Sequence, residues 1–136
     1  EKKIIYLLSA LAVIIIDQFS KKVVVDNYPY IINDGIALGI FRGSNLIAVF
    51  LAIIVLSALG YFLIRIPEFK TKLILSLVSA AAFSNLIDRI SKGGVVDFIN
   101  IFIFPSFNFA DFIISFGIIV LVYLIFKKEW KKEISK

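Results

Sequence analysis

The stretch LIAVFLAIIVLSALGYFLI, from Leu46 to Ile64, is the clearest candidate transmembrane helix in this 136-residue chain. It contains 19 residues and no charged side chain. Because an α-helix rises about 1.5 Å per residue, such a stretch nearly covers a hydrocarbon core about 30 Å thick. Hydrophobic residues make up 60% of the sequence, more than a soluble domain of this length can bury. The sequence therefore predicts an integral membrane protein.

Three further apolar segments predict helices: Ile4–Ile16, Leu73–Ile87 and Phe112–Phe126. The first is expected to continue as helix through the following DQFSKKVVV. Each of the other two has 15 residues, about 22 Å of helix, so flanking residues such as Asp88 and Asp111 must complete the crossing. We therefore predict an all-α integral membrane protein with four transmembrane helices, which form a single domain over residues 1–136.

Basic residues divide unevenly between the two sides of the membrane that these helices define. One side carries ten and the other five, so the positive-inside bias predicts that both termini are cytoplasmic. The ten are Lys2, Lys3, Arg65, Lys70, Lys72, Lys127, Lys128, Lys131, Lys132 and Lys136, and the five are Lys21, Lys22, Arg42, Arg89 and Lys92. No small-residue cleavage site follows the first apolar segment, so we interpret it as a retained span. Turn-forming residues between Tyr28 and Gly43 predict a short loop or small extended element on the outer side.

The sequence contains no Cys and no His. This excludes a disulfide framework, Ser-His-Asp and Cys-His hydrolysis, and the two-His zinc motif. An enzyme of this composition must use Asp, Glu, Lys or Tyr as acid–base groups, and we expect neither a metal nor a cofactor. Five of the 15 basic residues follow the last hydrophobic run. That pattern is typical of a tail beside an anionic membrane surface, so we expect no nucleic-acid partner.

Four aspartates gather toward the predicted outer side: Asp17, Asp88, Asp97 and Asp111. An ionisable side chain at membrane depth is a candidate functional group, since burying its charge is unfavourable. Each motif also has an ordinary structural explanation. Asp111 fits a helix N-cap and Asp88 a local ion pair with Arg89, the Asn33–Gly35 sequence is a turn signature, and Lys21 fits a side chain that reaches the interface.

Taken together, the aspartates fit one chemistry. Two carboxylates in a low-dielectric site cannot both ionise easily, so they share a proton. One can then act as general base on a water molecule while the other donates a hydrogen bond to a scissile carbonyl. Aspartic proteolysis requires no His, Cys or metal, so it is compatible with this composition.

Five short motifs also occur in a fixed order: DQFSK (Asp17–Lys21), NDGIALG (Asn33–Gly39), NLIDR (Asn85–Arg89), VVDF (Val95–Phe98) and FNFAD (Phe107–Asp111). In this order they resemble the lipoprotein signal peptidase, or signal peptidase II, family of bacteria. The resemblance implies a four-helix intramembrane aspartic protease of the bacterial inner membrane, with its active site toward the outer leaflet. It implies cleavage of diacylglyceryl-modified prolipoproteins before the lipid-modified cysteine. We expect a monomer whose partners are these substrates and membrane lipids.

The resemblance assigns the site residues. The catalytic pair falls on Asp97 and Asp111. Residues that support the site or contact substrate fall on Asp17, Lys21, Asn33, Gly35, Ala37, Asn85, Asp88, Arg89 and Asn108. Aromatic side chains around the pair are expected to keep bulk water sparse, namely Phe98, Phe102, Phe104, Phe107 and Phe109.

The chain also departs from the family pattern. Leu38 stands where an aromatic residue is usual, and Ala81 and Ser84 stand where glycines are usual. Because Ala and Ser are still small, we expect tighter helix packing with the site retained. The outer segment from Val25 to Ile32 is shorter than the family's, which predicts a minimal or divergent member with an altered grip on substrate.

Two other functions fit the same residues. In a small proton-coupled transporter or channel subunit, buried aspartates relay protons, and charges then lie near mid-membrane on facing helices. In a catalytically inactive relative, the fold binds prolipoproteins without cutting them.

Overall fold

The computed structural model describes residues 2–35 and 43–134. Its elements are α1 (Lys2–Asn27), β1 (Ile31–Asn33), α2 (Asn45–Arg65), α3 (Phe69–Lys92), β2 (Val95–Asp97) and α4 (Phe109–Ile134). Each helix contains a segment long and apolar enough to cross a membrane. The four predicted helices are confirmed: α1 continues through DQFSKKVVV, and Asp88 and Asp111 lie within α3 and α4.

The two strands form a small antiparallel sheet in which Ile31 pairs with Asp97 and Asn33 pairs with Val95. β1 is an extended element between α1 and α2. Its partner β2 follows α3, and the sequence pattern did not predict it. The molecule is therefore mostly helical, as predicted, and this short strand pair is added to the four helices.

α3 forms the centre of the bundle. α1, α2 and α4 all pack against it, whereas α2 contacts neither α1 nor α4 among the described residues. Small side chains allow the close approach, since Ala81 and Ser84 of α3 and Ala110 of α4 are fully buried. A Cβ built on Gly117 of α4 would lie 2.4 Å from Val78 Cγ2, so this crossing requires glycine.

Both ends of α3 are defined by their own sequence. Glu68 precedes the helix, and its carboxylate accepts hydrogen bonds from the backbone N–H groups of Lys70 (3.0 Å) and Thr71 (2.7 Å). The hydroxyl of Thr71 donates to the same carboxylate, and these hydrogen bonds lower the pKa of Glu68. At the other end, Gly93 adopts a left-handed conformation with φ of 76°. This turn ends α3 and directs the chain back into β2.

Candidate active site

The start of α4 is organised by the sequence NFAD, residues 108–111. Asn108 precedes the helix, and its Oδ1 accepts a hydrogen bond from the backbone N–H of Asp111 (2.9 Å). In return, Asp111 Oδ2 accepts one from the backbone N–H of Asn108 (3.2 Å). The two side chains thus form a capping box and satisfy N–H groups that a helix start leaves free. The N-cap is Asn108, and Asp111 is the third residue of the helix, which corrects the simple N-cap interpretation of Asp111.

Asn108 also connects the two aspartates of the predicted catalytic pair. Its Nδ2 donates a hydrogen bond to Asp97 Oδ1 (2.8 Å) while its Oδ1 faces the backbone of Asp111. Asn108 is fully buried and Asp97 is 2% exposed, so neither group can exchange these partners for bulk water. An amide has one accepting and one donating side, so a single orientation of Asn108 satisfies both contacts.

The other oxygen of Asp97 is held from β1. Asn33 Nδ2 donates a hydrogen bond to Asp97 Oδ2 (2.9 Å), and the β1–β2 pairing brings these two residues together. The approach is very close at Gly94, where an added Cβ would lie 2.7 Å from Ile32 Cγ2 and 2.9 Å from the carbonyl oxygen of Asn33. Glycine at this position therefore allows β1 to deliver Asn33 to the carboxylate.

Asp111 receives its second side-chain partner from α3. Asn85 Nδ2 donates a hydrogen bond to Asp111 Oδ1 (2.8 Å), and Asn85 Oδ1 accepts one from Lys21 Nζ (2.8 Å). Lys21 thereby sets which side of the Asn85 amide faces Asp111. From the described residues, each oxygen of both aspartates accepts one hydrogen bond, and a carboxylate oxygen can accept more than one, so both groups can also bind a ligand or water.

Lys21 lies in a buried ionic cluster behind this pair. Its Nζ lies 2.7 Å from Asp17 Oδ2 and 2.9 Å from Asp88 Oδ2, and all three side chains are fully buried. Asp17 Oδ1 also accepts a hydrogen bond from the backbone N–H of Ala110 (2.9 Å), at the start of α4. The interpretation of Lys21 as an interfacial side chain is therefore wrong. The cluster joins α1, α3 and the start of α4.

Three further side chains complete this cluster, and sequence reasoning gave them no such role. Ser84 Oγ donates a hydrogen bond to Asp17 Oδ2 (2.7 Å), Gln18 Nε2 donates to Ser84 Oγ (3.0 Å), and Lys92 Nζ lies 2.8 Å from Asp88 Oδ1. Ser84 had been expected only to be small. A buried hydroxyl in place of hydrogen supplies Asp17 with an additional donor, so this departure from the family pattern adds a contact.

Arg89 lies on the cavity side of α3. It donates from Nη2 to the carbonyl oxygen of Gly35 (2.9 Å) and from Nη1 to Asn45 Oδ1 (3.3 Å), and Asn45 Nδ2 donates to the carbonyl oxygen of Arg89 (3.0 Å). Among the described residues it forms no salt bridge with Asp88, so that local ion-pair interpretation is wrong. Arg89 instead connects the chain after β1 to the start of α2.

The two aspartates and Arg89 line one cavity of about 500 Å³. Asn33 and Asn85 add polar groups, and the rest of its wall is largely apolar, with Phe104, Phe107, Phe112, Ile101, Pro105 and Ile114. Of the five aromatic residues expected here, Phe104 and Phe107 line the cavity. Phe98, Phe102 and Phe109 are absent from its described lining, and Phe102 is fully exposed.

Burial raises the pKa of Asp97 from 3.8 to about 6. The negative charge of Asp111 contributes to this increase, while the hydrogen bonds from Asn33 and Asn108 and the charge of Lys21 oppose it. The two carboxyl groups are thus electrostatically coupled, which is the condition for sharing one proton.

The structure brings the predicted site residues into one connected region. Asp97 and Asp111 share the cavity with Asn33, Asn85 and Arg89, and Asn108 bridges them. Asp17, Lys21 and Asp88 form the cluster behind them, and Gly35 lies beside Arg89. Ala37, Leu38, Gly39 and Arg42 lie outside the described residues.

A helical membrane protein in which a buried Asp97 and a partly buried Asp111 line one largely apolar cavity fits the class of polytopic membrane enzymes. The family described as "Signal peptidase (SPase) II" matches residues 9–127 of the chain. A solved structure described as a bacterial membrane enzyme superposes with a TM-score of 0.86 at 30% identity, and covers 93% of this chain and 90% of that one.

Curated relatives agree with that match. The lipoprotein signal peptidase of Wigglesworthia glossinidia brevipalpis is 36% identical over 135 aligned positions, which cover 83% of this chain and 88% of the relative. That of Syntrophus aciditrophicus (strain SB) is 34% identical over 156 positions, which cover 96% of this chain and 97% of the relative. This alignment is longer than the 136-residue chain, so the chain lacks segments that this relative has. The chain belongs to the signal peptidase II family, and it is a multi-pass membrane protein.

Proposed function

We propose that this chain is an intramembrane aspartic endopeptidase, which removes the signal peptide from diacylglyceryl-modified bacterial prolipoproteins before the lipid-modified cysteine. Its membership of the signal peptidase II family supports the substrate class. The single observation that supports the aspartic mechanism is the pair Asp97 and Asp111, which line one cavity and are bridged by Asn108.

The mechanism begins with one proton shared between Asp97 and Asp111. The ionised carboxyl group takes a proton from a water molecule, whose oxygen attacks the scissile carbonyl carbon. The protonated carboxyl group donates a hydrogen bond to the carbonyl oxygen as negative charge develops there. Collapse of the tetrahedral intermediate breaks the C–N bond, and the departing amine takes up a proton from the pair.

Three asparagines position these groups. Asn108 and Asn33 hold Asp97, and Asn85 holds Asp111, each at 2.8 to 2.9 Å. Because the amides donate to the carboxyl oxygens, they stabilise the ionised form against the effect of burial. The cluster of Asp17, Lys21 and Asp88 acts as a positioning unit, since it orients Asn85 and fixes the start of α4 through Ala110.

The cavity extends along α4 from Asp111 to Ser115, and its other helical wall is Asn85 and Arg89 of α3. This shape fits a peptide that enters from the lipid side with its hydrophobic helix among the membrane helices. The apolar wall around Phe104 and Phe107 limits access of bulk water to the reacting bond.

The positions of the titratable groups favour proteolysis over proton relay. Asp88 lies near the end of α3 and Asp111 at the start of α4, and Asp17 is joined to Asp88 through Lys21. The described part of α2 carries no acidic residue. A transmembrane proton path would require carboxylates along the depth of the bundle.

The orientation follows from the basic residues. We propose that both termini lie in the cytoplasm, that the chain resides in the bacterial inner membrane as a monomer, and that the carboxylate cavity opens toward the outer leaflet. β1 and the segment around it then lie on the outer side. The sequence has no cysteine, so single-cysteine variants at Lys70 and Asn100 can be labelled in intact cells without background. Only the cysteine at position 100 should react with a membrane-impermeant maleimide.

The proposed activity is tested with purified protein and a diacylglyceryl-modified prolipoprotein. Mass spectrometry should show a released signal peptide and a product whose N-terminus is the modified cysteine. The same substrate without the diacylglyceryl group should remain intact. If folded protein leaves the modified substrate uncut but still binds it, the inactive relative is the correct description. If it neither cuts nor binds it, the transporter hypothesis gains support.

A further inference from the structure

A second cavity, of about 590 Å³, lies between α1 and α2 with α3 as its floor. Among the described residues, the two cavities have no lining residue in common. It exists because α1 and α2 both pack on α3 without contacting each other in the described part of the chain. Its lining residues lie between Lys3 and Ile14 on α1, between Leu56 and Leu63 on α2, and between Lys72 and Phe83 on α3. We refer to it as the α1–α2 groove.

The α1–α2 groove is polar at one end and largely apolar along its length. Lys3 and Lys72 stand near the starts of α1 and α3, so they mark the same end of the groove. The α1 wall from Lys3 to Ile14 and the α3 floor from Lys72 to Phe83 are each about 16 Å long at 1.5 Å per residue. That is close to the hydrocarbon depth of one leaflet, about 15 Å. The groove therefore has the length of a single-leaflet acyl chain.

Among the described residues neither Lys3 nor Lys72 forms a salt bridge. Residues 2–16 contain no acidic residue, and residues 45–87 contain one, Glu68. The Glu68 carboxylate accepts three hydrogen bonds at the start of α3, from two backbone N–H groups and the hydroxyl of Thr71. The mouth of the groove thus presents two ammonium groups to any ligand.

We propose that the α1–α2 groove is a binding site for an anionic phospholipid. One acyl chain lies along the apolar walls, and the phosphate headgroup lies between Lys3 and Lys72. The outer surface of a membrane protein is in contact with lipid, so the occupant of the groove is an amphiphile. The positive charges of Lys3 and Lys72 then favour a lipid with an anionic headgroup. Basic pockets between transmembrane helices suit anionic headgroups, whereas a choline headgroup brings a second cation to the same place.

Gly60 of α2 offers a way to fill the groove without disturbing the bundle. Gly60 is part of the groove wall, and a Cβ built on it meets no atom within 4 Å. Gly60→Leu therefore occupies the space of the acyl chain, whereas Gly60→Ala leaves most of that space open. Comparing these two variants tests the effect of the groove's shape on lipid binding while the charges of Lys3 and Lys72 stay unchanged.

Native mass spectrometry of the detergent-purified full chain tests the proposal, with palmitoyl-oleoyl phosphatidylglycerol and the corresponding phosphatidylcholine as probes. The wild type should bind phosphatidylglycerol about tenfold more tightly than phosphatidylcholine. The double variant Lys3→Gln with Lys72→Gln should lose that preference, because its affinity for phosphatidylglycerol should be weaker by on the order of tenfold. Gly60→Leu should weaken binding of both lipids, and Gly60→Ala of neither.

A matched double variant removes two lysines outside the groove, Lys70→Gln with Lys128→Gln. It has the same net charge as the groove variant and should keep the wild-type preference. Thermal unfolding of every variant confirms that it is folded. Equal binding of the two lipids by the wild type, or an unchanged preference in the groove variant, would overturn the proposal. Equal stabilisation by inorganic phosphate would overturn it as well, because the acyl chain would then contribute nothing.

Discussion

α2 and α3 are membrane helices of similar length that are built in opposite ways. In the membrane-spanning window of α2 6% of residues are buried, against 44% in that of α3. α2 has one buried residue, Ala48, whereas α3 buries eight, among them Ser76, Ser84 and Asp88. In a membrane, the more apolar helix is the one that faces lipid, and polar side chains identify the helix at the centre.

The same difference explains how charges can remain inside the bundle. Within the described residues, every buried side-chain nitrogen or oxygen has a hydrogen-bond partner. For α3 these partners come from α1 and α4, and β1 supplies a partner to Asp97 of β2, so polar contacts hold the interior together. α2 contributes the lipid-facing surface and, through Asn45, a contact to Arg89 at one end. Four measurements test this account of the interior.

The largest effect is expected from Lys21→Met, which removes the cation between two buried carboxylates. Breaking such a buried pair typically costs about 3–5 kcal/mol, so thermal unfolding in detergent should occur at a much lower temperature. Lys22→Met is the matched control. Lys22 pairs with Asp26 on the surface, where the two side chains are 75% and 52% exposed. A surface pair contributes about 0–1 kcal/mol. Equal losses in both variants would contradict the special role of the interior.

The next effect is expected at the crossing of α3 and α4. In Gly117→Ala the new methyl group would lie 2.4 Å from Val78 Cγ2, so the helices must separate, with an expected loss of about 1–3 kcal/mol. Gly60→Ala on α2 meets no atom within 4 Å and should stabilise the helix by up to about 1 kcal/mol. Unfolding temperatures that change in the same direction would contradict the difference between the two helices. Val78→Ala should recover part of the loss in Gly117→Ala.

A smaller effect is expected from Gly94→Ala, which pushes β1 away from β2. The added Cβ would lie 2.7 Å from Ile32 Cγ2, so Asn33 should move away from Asp97 and cleavage should slow about tenfold, with a modest effect on stability. Asn33→Ala should slow cleavage to a similar degree, and the double variant should be no slower than either single one. Full additivity would show that Gly94 acts independently of Asn33.

The fourth effect concerns the pH dependence of stability, and it is confined to a narrow pH interval. With a folded-state pKa of about 6 against 3.8, Asp97 keeps its proton longer in the folded protein. Folding stability from this group is therefore lost as the pH rises from about 4 to 6. Asp97→Asn removes that loss, so the unfolding temperature of the variant relative to wild type should rise across this interval, by the equivalent of about 1–3 kcal/mol. A difference that is constant from pH 4 to pH 8 would contradict the shifted pKa.

Much of the fold could be predicted from the sequence because membrane crossing imposes a strong pattern. The uncharged run Leu46–Ile64 became α2, and the three other apolar segments became helices with longer ends. The sheet was harder to predict. Val95–Asp97 forms three residue pairs with a segment more than 60 residues earlier, and no local pattern records such a partner.

The residues of the candidate site could be proposed from the sequence, but the hydrogen bonds that join them could not. Motif order identified Asp97, Asp111, Asn108 and Asn85, yet the bridge through Asn108 depends on where α4 starts relative to β2. Lys21 stands between Ser20 and Lys22 whether its side chain reaches the interface or lies buried, so its sequence context could not distinguish the two. Gln18 carried a weaker signal: it lies one position after Asp17 in the same motif, and its contact with Ser84 spans 66 residues.

The central claim is that Asp97 and Asp111 act as one catalytic pair. The most direct test compares initial cleavage rates of Asp97→Asn, Asp111→Asn, the double variant and Asp26→Asn on a diacylglyceryl-modified prolipoprotein. Asp26 pairs with Lys22 on the exposed surface, so its variant controls for loss of a carboxylate near the same end. The cleavage rate of each single variant should fall by about 10²–10⁴-fold, and the double variant should be no slower than either single one. Asp26→Asn should cleave at almost the wild-type rate. Substantial cleavage by a folded Asp97→Asn or Asp111→Asn variant would contradict the account.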